Sequence, residues 1–177
     1  EDARGRPEYA LVVEFLGEAH CRGQDWVSAE KELKESIPLL EESSRTDSGK
    51  AFVYLTAMSV GLHTIGVMAS NSTRWKESAD CHSKAMLLPY TATVWPGSPW
   101  RAARAYLELG DFSSACAYGK VALAILAGRD VYFEDTLAIL RQASRRQGVG
   151  KADPFGLFTG DAGGNGSYFT TAPCYQT

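Results

Sequence analysis

From Pro7 to Gln147 the apolar residues recur three and four positions apart, and short polar or glycine-marked breaks interrupt them. That is the period of helices with one buried stripe, and strand-like alternation is absent before residue 150. Seven helices are predicted. Pro7 suits the first turn of a helix over 7–22, which Gly23 stops. Asp25 caps a second over about 25–42, in which Pro38 is expected to end or kink the helix. The polar run 43–48 then separates it from a third helix over 49–69. Asn71-Ser72-Thr73 ends that one, and a fourth covers 74–88. Three prolines between 89 and 99 mark a loop, and Ser98-Pro99 starts a fifth helix over 99–109, stopped by Gly110. A sixth runs over 112–127 to Gly128. A seventh covers 131–147, with Arg145 and Arg146 where cations suit the helix dipole. The expected fold is all-α: antiparallel hairpins over 7–42, 49–88 and 99–127, a final helix over 131–147, and an irregular tail over 148–177.

The hairpins resemble one another. Leu16-Gly17, His20, Gly23, Trp26, Ala29 and Leu33 set a pattern of small residue, large residue, turn, aromatic and alanine. Ala102-Ala103, Tyr106, Gly110-Asp111-Phe112, Ala115 and Ala122 repeat it. Ile65-Gly66 and Trp75 carry a further copy, with Ser78 in the alanine slot, Ala79 beside it, and His82 and Ala85 after. Small residues let paired helices approach, and large ones fill the adjoining holes. On these residues the chain resembles the tetratricopeptide repeat (TPR) family over about 8–128. The resemblance implies hairpins stacked as a short right-handed superhelix, with 131–147 as the solvating end helix. Trp26, Trp75 and Phe112 are 49 and 37 residues apart. The family's period is about 34, so longer helices or linkers are expected. A plain helical bundle with Ala and Gly at its contacts is the competing reading.

Residues 51–70 contain no Asp, Glu, Lys or Arg, a run long enough to span a bilayer. Thr56, Ser59, His63, Thr64 and Ser70 interrupt it, and the repeat register passes through Gly66. A central helix covered from both sides explains it better, so membrane association is expected only indirectly, through a complex.

Composition is globular, and a net charge of −3 speaks against nucleic acid as a partner. The charge is uneven: residues 1–47 carry twelve acidic against six basic side chains, and residues 48–147 carry seven against eleven. The resemblance implies that the first helix lines a groove where some relatives grip a C-terminal carboxylate with Lys and Asn. Glu14 and Glu18 stand at the matching positions, which points to a basic protein or peptide segment instead. Trp100, Arg101 and Arg104 form an opposing basic and aromatic patch, with Phe15 and Trp100 as expected anchors. The bland alternative is that all these charges are solvated helix faces.

Catalytic and metal chemistry is not indicated. A phosphate loop needs a strand, a Gly-rich turn and a helix, whereas the glycines here crowd into the tail. His20-Cys21 and Cys81-His82 point about 100° apart along a helix, so neither pair chelates a metal well. No electropositive site activates Cys116 or Cys174. The sequons at Asn71 and Asn165 and the adaptor-like Asp153-Pro154-Phe155 carry too little information to use. No cofactor is expected, and an enzyme is the least favoured class.

Four cysteines suit free thiols in a reducing compartment. The chain starts at Glu1 without an apolar signal, as a processed or trimmed chain would. An intracellular place is expected, cytoplasmic or organellar after loss of a targeting peptide. The tail holds seven glycines but also Phe155, Phe158, Tyr168, Phe169 and Tyr175, which a free linker would not need. It is expected to dock on the array or on a neighbouring protein. The leading reading is a non-catalytic adaptor binding a protein or peptide segment. An accessory subunit of a large organellar or membrane-associated complex is the alternative, and the helical sensor part of a bacterial transcriptional regulator is the third.

Overall fold

The structure, a computed structural model, describes residues 6–88, 97–126 and 132–147. They form α1 (Pro7–Arg22), α2 (Trp26–Thr46), α3 (Ala51–Asn71), α4 (Trp75–Met86), α5 (Gly97–Glu108), α6 (Phe112–Leu126) and α7 (Tyr132–Arg146), with no strand among the described residues. Each helix packs on the next in chain order, and α1 also meets α3, α3 meets α5, and α5 meets α7. The fold is therefore an all-α array of consecutive hairpins. The expected Pro-rich loop, the stop at Gly128 and the whole tail, including Cys174, lie outside the described residues.

Three turns join α1 to α2, α3 to α4 and α5 to α6, and they share one hydrogen-bond pattern. Gln24, Thr73 and Gly110 all have positive φ, at 62°, 56° and 77°. Their N–H groups donate to Cys21, Ser70 and Leu107, each at 3.1 Å. The next residue donates five positions back: Asp25 to His20 (2.9 Å), Arg74 to Ala69 (2.8 Å) and Asp111 to Tyr106 (3.0 Å). These bonds satisfy the orphan carbonyls at each helix end. Asp25 and Asp111 then cap the following helix through their side chains, accepting from Ser28 and Ser114.

Close packing sits at fixed offsets from the turns. A Cβ on Gly17 would stand 2.7 Å from Leu33 Cγ, and one on Gly66 would stand 2.7 Å from His82 Nε2. Both pairs are 16 residues apart, as are Ala103 and Gly119 in the third hairpin. In the third, Leu140 of α7 fills the space above Gly119 instead, at 2.8 Å from its would-be Cβ. Ala29, Ser78 and Ala115 occupy one slot after the turn, and all are fully buried. Ile65, Ala102 and Ala103 are also buried, while Trp75, Tyr106 and Phe112 are half-buried.

Four expectations need correction. Leu16 and Trp26 do not fill packing slots, being 47% and 43% exposed. Leu16 lies on a face of α1 that the other described helices leave open. Pro38 does not end α2, which continues to Thr46. Its stripe Ala29, Leu33, Ser36, Leu40 and Ser43 stays buried past the proline, and Leu40 packs with Ala10 and Tyr54. Pro38 and Lys34 face solvent, so water can serve the carbonyl that Pro38 cannot reach. The polar run 43–48 is accordingly not a separate linker. Ser44 and Thr46 donate back to the carbonyls of Glu41 and Glu42 inside the helix. The long α2 and α3, each of 21 residues, explain why the first repeat spacing exceeds the second.

α3 is long and apolar enough to cross a membrane. Here it is the central core helix, with 59–69 almost wholly covered by its neighbours. α7 buries Thr136, Ile139, Leu140 and Ala143 and turns Glu134, Arg141 and Arg145 outward.

Thr73 adopts a left-handed backbone that a β-branched residue resists by about 1–2 kcal/mol. Glycine there loses about 0.5–1 kcal/mol to chain entropy. Thr73→Gly is therefore expected to raise stability by about 0.5–1 kcal/mol in chemical denaturation. An unchanged or lower midpoint would contradict the turn geometry.

Candidate protein-interaction surface

The first helices of the three hairpins, α1, α3 and α5, lie side by side. The turn register makes Phe15, Thr64 and Arg101 equivalent positions along them, and likewise Glu14, His63 and Trp100. This face therefore carries the residues that the sequence nominated for partner binding. The structure does not bring them into one site, because α3 stands between the α1 set and the α5 set.

Glu14 and Glu18 are not free groove carboxylates: they are 3% and 5% exposed. Thr64 of α3 donates its hydroxyl to Glu18 Oε1 at 2.7 Å. Burial, reinforced by the neighbouring Glu18, pushes the Glu14 carboxyl up to about 7, with Arg22 pulling it back. Burial also raises Glu18, against the Thr64 bond and Arg22. Carboxylates so placed offer little fixed charge outward and do not favour a basic partner. Phe15 alone of this set stands free, at 66% exposure.

The raised Glu14 pKa has a signed consequence. The folded state holds the proton more tightly than the unfolded chain, so the contribution is complete below pH 4.5 and lost as pH rises toward 7. Glu14→Gln mimics the protonated acid. It is expected to match the parent near pH 5 and to exceed it at pH 8, by about 1–3 kcal/mol. Thermal melts across that range test this, and parallel curves for the two proteins would exclude it.

On α5 the patch is built. The Trp100 ring stacks on Tyr132 of α7 with centroids 4.5 Å apart, and the Arg101 guanidinium sits 5.0 Å from the Trp100 centroid. Arg104 pairs with Glu108 at 2.7 Å.

Between the two sets lies a histidine pair. His63 Nδ1 and Ser98 Oγ are 2.6 Å apart, and the His63 and His82 rings meet edge to face at 5.2 Å. His82 is fully buried, and neither of its ring nitrogens has a hydrogen-bond partner among the described residues. Burial drives both imidazoles neutral, His63 down to about 3 and His82 well below its ordinary value. Arg101 adds to both, and the Gly66 backbone opposes weakly at His82.

One cluster carries no local sequence signal. Arg74, at the α4 N-terminus, grips Glu30 of α2 with two nitrogens, at 2.6 and 2.9 Å, and also reaches Glu77. Lys34 closes the network on Glu30 and Glu77, each at 2.6 Å. The Arg74 bond holds the Glu30 carboxyl down to about 2. A network spanning 44 residues of chain joins the first hairpin to the second. Arg74, Glu77, Asp80, Cys81 and Lys84 line a shallow cleft of about 560 Å³ beside it. Burial pushes the Cys81 thiol up to about 11, so it is no nucleophile. Among the described residues no three His, Cys, Asp or Glu side chains converge as metal ligands.

No protein-family model matches the chain, and no curated protein matches it. Among solved structures it is similar to one described as the crystal structure of MamA protein, with a TM-score of 0.39 and 11% sequence identity. That match covers 81% of this chain and 94% of the other. The assignment of an all-α array of repeated hairpins rests on the three turns and their packing.

Proposed function

We propose that the chain is a non-catalytic interaction scaffold of tetratricopeptide-repeat type, whose hairpins stack as a right-handed superhelix and bind a protein or peptide segment. The observation that carries this is the threefold turn and packing register, from Gly17–Trp26 through Gly66–Trp75 to Ala103–Phe112. Such a register extends a surface rather than enclosing a pocket. The segment is taken across α1, α3 and α5, with Phe15 at one side and Trp100, Arg101 and Arg104 at the other. The proposed setting is intracellular.

Affinity capture tests this with three proteins: the intact chain, the chain ending at Gln147, and a Phe15→Ala/Arg101→Glu variant. A partner held by the first two and lost by the third supports the helical face. Retention by the third assigns binding elsewhere and defeats the proposal.

A second reading is an accessory subunit of a larger assembly. It is favoured by Phe52 and Val53, 62% and 50% exposed at the start of α3. The isolated chain would then aggregate, whereas a scaffold stays soluble with a defined size.

A further inference from the structure

Glu14 and Glu18 stand one turn apart on α1 and are both buried where α1 meets α3. The seam around them is almost uncharged. Residues 51–70 hold no Asp, Glu, Lys or Arg. α3 brings Gly61, close to the Glu14 stem, and the Thr64 hydroxyl, which donates to Glu18 at 2.7 Å. Its titratable side chains lie elsewhere: His63 contacts Ser98 and His82, and Tyr54 packs on Ala10. α2 brings Leu33 and Ile37 to the same spot above Gly61. Its Glu30 and Lys34 are tied to α4, its Glu32 faces His20, and its Glu35 accepts from Tyr9. The cation that acts on both carboxyls is Arg22, exposed at the end of α1 itself. Ionising both acids therefore sets two like charges one turn apart where water scarcely reaches, and a proton on either relieves this.

We propose that Glu14 and Glu18 form a proton-controlled latch on α1. While the pair keeps a proton, α1 stays docked on α3. Loss of that proton lets α1 undock without unfolding the rest of the array. Once released, a helix of 16 residues is marginal in water, so α1 then frays. The direction follows from the burial. Docking pushes the Glu14 carboxyl up to about 7 and raises Glu18 as well, whereas both return to the ordinary range near 4.5 when α1 is free. The docked form thus holds the proton more tightly. It is favoured at low pH, loses ground as pH rises from about 4.5 to 7, and changes little above that. The latch is a property of the chain alone. Only its consequence for Phe15, carried on the same helix, rests on the proposed function.

Amide hydrogen exchange of the 177-residue chain between pH 5 and 8, corrected for intrinsic rates, tests it. The opening of α1 is expected to rise by roughly 30-fold from pH 5 to pH 7. It should also stay more frequent than the opening of residues 59–69 in α3. Glu14→Gln/Glu18→Gln keeps both side chains neutral at every pH, and should leave α1 as protected at pH 8 as the parent is at pH 5. Protection of α1 that does not change with pH would overturn the proposal. So would α1 and residues 59–69 exchanging at one common rate throughout, because α1 would then open only with the whole molecule. A pH effect that survives in the folded double variant would overturn it too, since other groups would carry it.

Discussion

Gly17→Leu is expected to lower stability by about 3 kcal/mol, seen as a fall in Tm of roughly 6–12 °C. Even a single carbon at Gly17 would press to 2.7 Å on Leu33 Cγ and 3.2 Å on the Leu33 backbone nitrogen. The side chain could swing away, but the backbone of α2 could not without opening the hairpin. Leu33 is itself fully buried with Ala29, Ile65 and Met68. The strain therefore passes to α3 as well. Shrinking the partner should recover part of the loss: Gly17→Leu/Leu33→Ala is expected to melt above Gly17→Leu alone, a coupling of about 1 kcal/mol or more. Gly66→Leu should behave like Gly17→Leu, since its would-be Cβ meets the His82 ring at 2.7 Å. A Gly17→Leu protein that melts with the parent would mean that α1 and α2 do not meet at this position.

The sequence disclosed the helices because each one buries a stripe at helical spacing and ends on a residue with a local reason to stop. It disclosed the third turn best, where glycine itself takes the positive φ at Gly110. The first two turns use Gln24 and Thr73 for the same conformation, residues that propensity places elsewhere. Gly23, the obvious stop, sits one residue early with φ −77°. Pro38 misled for a related reason: a local rule met a buried stripe that outweighed it. The candidate site was less legible because it depends on what lies across from each side chain. Glu14 and Glu18 look solvated until α3 is laid over them. Glu30 and Arg74 are too far apart in sequence for any short-range pattern to pair them. Leu16, Ile65 and Ala102 share one register, yet Leu16 alone is exposed, because among the described residues no helix covers that face of α1.

The register also says what His82 replaces. Leu33 covers Gly17 in the first hairpin, and His82 covers Gly66 in the second, at the same offset. An apolar side chain thus fits this slot elsewhere in the same chain. The imidazole gains little for its polarity among the described residues, since neither buried nitrogen has a hydrogen-bond partner of ordinary geometry and only the Gly66 backbone favours its charged form. Each such group costs about 1–3 kcal/mol of desolvation. His82→Leu is therefore expected to raise stability at pH 7.5 by about 1–3 kcal/mol. The pH dependence should change with it. The folded protein holds His82 neutral far below its ordinary pKa, while the unfolded chain takes up a proton as pH falls through about 6.5. Stability is complete above that value and drains away below it. Removing the imidazole removes this drain, so the variant's advantage should widen by about 2 kcal/mol between pH 7.5 and pH 5. His63, held down to about 3, keeps part of the acid sensitivity in both proteins. A His82→Leu protein less stable than the parent at neutral pH would mean that the imidazole makes a polar contact the fold requires. A gap that stayed constant with pH would mean that it already carries a proton when folded.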